Sequence, residues 1–161
     1  MSEYLFCRGA SIRQGEGFIQ TSTLFVPRAL MLAVPFSSGL PRHQDWDWLI
    51  RVSAHPGVKF AWVWEPLVIY YIDAFRKSVS AGRSLDPSVD WVEGNSLVTP
   101  KARAYFYATQ VAVRCRTPAI LWSVVRNTVR HPRAFVIAMG LALTPRTLVY
   151  RLRPRRVLTH A

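Results

Sequence analysis

The residues best suited to chemistry lie in one run, Arg42-His43-Gln44-Asp45-Trp46-Asp47-Trp48-Leu49-Ile50-Arg51. A carboxylate at the start of a helix is held ionised and oriented by the free backbone amides of the first turn, where it can receive a proton. Asp45 is placed for that work. Spacing alone favours Asp45 as the N-cap, with Asp47 in the first turn. His43 is a candidate to approach a phosphate or a metal; a lone loop histidine is also commonly just hydrogen-bonded or solvated. Five of the six tryptophans fall between Trp46 and Trp91. Aromatic faces stack on sugar rings or pack in cores, and Trp46 is the one assigned to a ligand, with Trp48, Trp62 and Trp64 expected to pack between helix and sheet.

The elements that must hold these residues can be read from the pattern. Residues 2–7 read as a short strand, the Gly15/Gly17 pair as a turn, and 18–26, rich in β-branched and aromatic residues, as a second strand. Pro27 suits a helix start, predicting a short helix over 28–33. Trp46, Leu49, Ile50 and Val52 recur at helical spacing over 45–55, and Pro56-Gly57 ends that helix. Residues 59–64 and 67–71 read as strands, and 76–100, rich in Ser, Gly, Asp and Pro, as a loop with at most one helical turn. Helices are expected over 101–116, 119–130 and 133–143, each preceded by proline, with a short one over 146–152.

Three blocks in this order, residues 19–28 (Ile19-Gln20-Thr21-Ser22-Thr23 onward), the Asp45 run, and Trp64-Glu65-Pro66-Leu67-Val68-Ile69-Tyr70-Tyr71, resemble the second half of family 2 glycosyltransferases of the GT-A type. The resemblance covers residues 1–80. It implies that Asp45 is the general base that deprotonates the acceptor hydroxyl, with Gln44 standing where the family usually has Glu. Trp46, His43, Arg42 and Thr21 are the candidates for acceptor contact, although Thr21 and Ser22 more simply satisfy a strand end. Asp45-Trp46-Asp47 spells the D-x-D that holds the divalent metal in such enzymes. That motif, however, normally ends a strand in the first half of the fold, so no metal ligand is assigned here.

The fold class expected is therefore α/β. A partial GT-A-like mixed sheet with flanking helices fills 1–80, 81–100 form a mobile loop, and 101–161 a basic amphipathic helical extension. The nucleotide-binding units are not recognisable in these residues. The complete enzyme would use Mg or Mn, a nucleotide sugar, and a glycan or lipid-linked acceptor; the fragment alone is expected to bind no cofactor and to be inactive, with an unpaired sheet edge that invites an upstream glycosyltransferase half or a homodimer partner.

Charge separates the chain. Residues 1–100 carry nine Lys/Arg and nine Asp/Glu, whereas 101–161 carry twelve basic residues and no acid, so the formal +12 belongs to the extension. Leu121, Val125 and Val129 share a helical face beside Trp122, with Arg126 and Arg130 on the other side. Together with Arg151, Arg153, Arg155 and Arg156, this pattern suits an anionic membrane surface; helices packed on the domain with a solvated basic face are the alternative. A non-catalytic module binding membrane or nucleic acid through 101–161 is the competing function, although no helix-turn-helix, zinc-finger, RNP or KH pattern supports nucleic acid. Cys7 and Cys115 show no metal-site or disulfide spacing and read as free thiols. No signal peptide is visible, and the apolar run 134–143 is about half the roughly 20 residues a spanning helix needs. The expected location is the cytoplasmic face of the plasma membrane, as a peripheral protein.

Overall fold

The computed structural model describes residues 1–7, 19, 21–63, 65, 67–69 and 84–144. The chain divides into two compact units, one formed by Met1 with 18–98 and the other by 2–17 with 99–161.

In the first unit, α1 (Arg28–Ala33) follows Pro27, whose carbonyl accepts hydrogen bonds from the amides of Leu30 and Met31. The second helix, α2 (Gln44–Ser53), buries Trp48, Leu49, Ile50 and Val52, the face that its apolar spacing requires. Gly57, at φ 77°, supplies the left-handed turn that follows the helix. The loop before α2 is fixed by Trp48, whose ring stacks on Phe36 at 5.4 Å and whose Nε1 donates to the Val34 carbonyl at 2.6 Å. The third helix, α3 (Asp86–Gly94), has Pro87 in its first turn and buries Ser88, Trp91 and Val92.

In the second unit, α4 (Ser2–Cys7) packs on α5 (Pro100–Phe106). Phe6 meets Phe106 edge-to-face at 5.3 Å. Thr99 caps α5, its Oγ1 accepting from the Ala102 amide at 3.2 Å, and Lys101 pairs with Glu3 at 2.8 Å. After Phe106 the chain widens into a π-helical turn, Tyr107–Val111, and then tightens into a 3-10 turn, Ala112–Arg114. Two further helices follow, α6 (Pro118–Thr128) and α7 (Pro132–Leu143), which pack on each other and on the π-helical turn. Thr117 caps α6 by accepting from the Ile120 amide at 3.3 Å. Proline fits at the first position of α5, α6 and α7 because no intrahelical donor is needed there.

The expected mixed sheet is overturned. Among the described residues every regular element is helical, and none is a strand. Residues 2–7 form a helix, and Thr21–Thr23 a 3-10 turn within the segment read as the second strand. Residues 58–63 and 67–69 follow an irregular path with Phe60, Trp62, Val63, Leu67, Val68 and Ile69 exposed. The physical reason lies in what β-branched and aromatic residues report. They favour a pleated, half-buried surface, and that surface exists only when neighbouring strands pair with it. Trp48 is buried, but no sheet among the described residues covers it, and Trp62 is 43% exposed; Trp64 and the 146–152 helix lie outside the described residues. The stretch read as a loop contains the nine-residue helix α3.

Candidate functional site around Asp45

The geometry of the site starts at Asp47, one turn into α2. Its Oδ2 accepts from Ser37 Oγ at 2.7 Å and from Arg51 Nε at 2.8 Å, and its Oδ1 accepts from Trp91 Nε1 at 3.2 Å. Arg51 also donates through Nη2 to the Pro35 carbonyl at 2.8 Å. One carboxylate thus ties together the loop before α2, α2 itself and α3. Burial is the largest influence on this carboxyl and disfavours its charge. The hydrogen bonds from Ser37, Arg51 and Trp91 and the Arg51 charge outweigh it, holding the group below its ordinary 3.8.

His43 caps the helix from the left-handed region, φ 63° and ψ 21°, a conformation uncommon outside glycine. Its ring is held on three sides. It stacks on Trp46 at 4.7 Å with 8° between planes, leans on Trp91 at 5.0 Å, and places Nε2 2.8 Å from Ser88 Oγ. Trp46 and Trp91 are themselves 6.4 Å apart. Aromatic contacts of this kind contribute about 0.5–1.5 kcal/mol each beyond area burial.

Because His43 is the cap, Asp45 occupies the first turn of α2 and caps nothing. Its Oδ1 accepts a hydrogen bond from Thr21 Oγ1, while Oδ2 accepts none from any described residue. Asp45 and Trp46 are half-buried, Thr21 is exposed and Arg42 is buried. The helix terminus supplies free amides beside the carboxylate, and one of its oxygens is already oriented by a hydroxyl. This arrangement can receive a proton from a bound alcohol.

The structure therefore brings Thr21, His43, Asp45 and Trp46 together. Arg42 adjoins them in sequence with its side chain inside. Arg126 and Arg130 belong to the second unit, and Arg151, Arg153, Arg155 and Arg156 lie outside the described residues. Sequence reasoning missed Ser37, Ser88 and Trp91, the residues that hold Asp47 and His43. A signal for α3 was present: Asp86-Pro87 opening a run in which Ser88, Trp91 and Val92 fall on one face. Among the described residues, no group of three or more His, Cys, Asp or Glu could hold a metal ion.

Over 108 residues the chain is 32% identical to the amylovoran biosynthesis glycosyltransferase AmsB of Erwinia amylovora, a match covering 66% of this chain and 33% of that protein. A glycosyltransferase is thus a distant relative, and the chain spans about a third of its length. No family model matches the chain. No solved structure matches it either.

Proposed function

We propose that this chain is the acceptor-side portion of a family 2 glycosyltransferase, moving a sugar from a nucleotide-sugar donor to a saccharide or lipid-linked acceptor. The likeness to AmsB is the observation that carries this reading, and the site around Asp45 gives it chemistry. The acceptor hydroxyl gives its proton to Asp45 Oδ2 as its oxygen forms a bond to the anomeric carbon. The anomeric carbon's bond to the nucleoside diphosphate breaks, and the diphosphate leaves with that electron pair. Thr21, on Oδ1, sets the orientation of the carboxylate. Trp46 offers a half-buried indole for a sugar ring, and its stack on His43 fixes the ring plane.

Donor binding, with the Mg or Mn that complements the diphosphate, is assigned to a companion half of the enzyme. Asp47 is engaged by Ser37, Arg51 and Trp91, which commits both of its oxygens to the scaffold. Calorimetry of the purified chain with UDP and Mn²⁺ tests this division of labour. No metal-dependent heat is expected. Binding that disappears in Asp47→Asn would show that Asp45-Trp46-Asp47 is a donor site after all.

A further inference from the structure

From the packing of α6 and α7, the geometry points to an amphipathic face that docks on an anionic lipid surface, independently of sugar transfer. On α6 the inward stripe is Ile120, Val124 and Thr128, with Val124 and Thr128 fully buried. The opposite side carries Trp122, 67% exposed, and Val129, 56% exposed, flanked on one edge by Leu121 and Val125 and on the other by exposed Arg126 and Arg130. The next helix repeats the arrangement. Ala134 and Ala138 face inward, while Val136 and Leu143 are 70% and 80% exposed and Arg133 lies exposed at the edge.

Two adjacent helices thus turn large apolar side chains outward with arginines alongside. In water that placement stabilises nothing. At a bilayer interface the indole and aliphatic groups leave water while the guanidinium groups reach phosphate. Charge selects the occupant. No acid occurs anywhere in residues 101–161, and among the described residues Arg126, Arg130 and Arg133 form no ion pair. A phosphate-rich surface is the complement, and the apolar centre of the face favours lipid over a nucleic-acid backbone, which offers nothing for Trp122 or Val129 to enter. No helix among the described residues is long and apolar enough to cross a membrane.

Vesicle flotation of the full chain tests the proposal, comparing pure phosphatidylcholine with an equal mixture containing phosphatidylglycerol. Binding is expected to the mixed vesicles only and to weaken as salt rises. Trp122→Ser with Val129→Ser should reduce the bound fraction about tenfold or more, and Arg126→Gln with Arg130→Gln by a similar factor. These four positions are exposed or lie on the outward side, and far-UV circular dichroism checks that the helices persist. Equal binding to neutral and anionic vesicles would overturn the proposal. So would binding that neither double substitution changes, or displacement by duplex DNA from a site insensitive to Trp122 and Val129.

Discussion

The two units differ in how they treat charge. The first, with Met1 and 18–98, holds seven Lys/Arg and seven Asp/Glu; the second, with 2–17 and 99–161, holds fourteen against two. In the balanced unit a single buried carboxylate gathers donors from a loop and two helices. In the basic unit the helices are assembled mainly by apolar packing, with Phe6, Phe106, Tyr107, Val111 and Val124 buried. The contrast lies in one carboxylate buried among donors in the first unit and in Arg126, Arg130 and Arg133 left exposed in the second. Inward charge must be paired because burying it alone is costly, whereas outward charge needs no partner to be tolerated.

Removing the shared donor should separate the units most clearly. Trp91→Ala takes away a buried ring and one hydrogen bond to Asp47, and should destabilise the first unit by about 3–5 kcal/mol. Urea unfolding followed by circular dichroism should then show an early transition while the helices of the second unit persist. A single unshifted transition would mean that the Asp47 cluster does not organise its unit.

A smaller effect is expected from acid. The Asp47 carboxyl is held below its ordinary 3.8, so its stabilisation is fully present above that value and is lost as pH falls through the lower folded one. Asp47→Asn should flatten the dependence of the urea midpoint on pH below about 4. Smaller still is the effect at Glu3, whose pairing with Lys101 is solvent-exposed on both sides. Glu3→Gln should shift the midpoint only marginally, because water and salt screen such pairs. The least change concerns Cys7. Burial first, and Glu3 second, push its thiol up to about 11, so maleimide labelling of Cys7 should be slow at neutral pH and accelerate as pH climbs toward that value.

Much of the local structure was legible where sequence signals act locally. Pro27 preceded a helix over Arg28–Ala33, the apolar spacing after Asp45 marked Gln44–Ser53, and prolines 100, 118 and 132 opened helices. The sheet was misread because residues 2–7, 18–26, 59–64 and 67–71 carry β-type composition, and short apolar runs do not separate strand from helix or from unpaired chain. Residues 2–7 show this well, since Phe6 is buried against Phe106 from a helix. The π-helical turn at Tyr107–Val111 left no mark in the sequence, because a one-residue widening changes hydrogen-bond register without changing composition. Within the site, Asp45, His43 and Trp46 were visible as neighbours in the chain. Trp91 and Ser88, more than forty positions away, reach them only through tertiary packing.

The central claim is that Asp45 serves as the base of a glycosyl transfer, and a hybrid enzyme tests it most directly. A segment of this chain that carries Asp45 would replace the corresponding segment of AmsB, and amylovoran production by Erwinia amylovora carrying the hybrid would be measured. The account predicts production by the hybrid and a loss of about 10²-fold or more with Asp45→Asn. An inactive but folded hybrid, or one indifferent to Asp45→Asn, would contradict it.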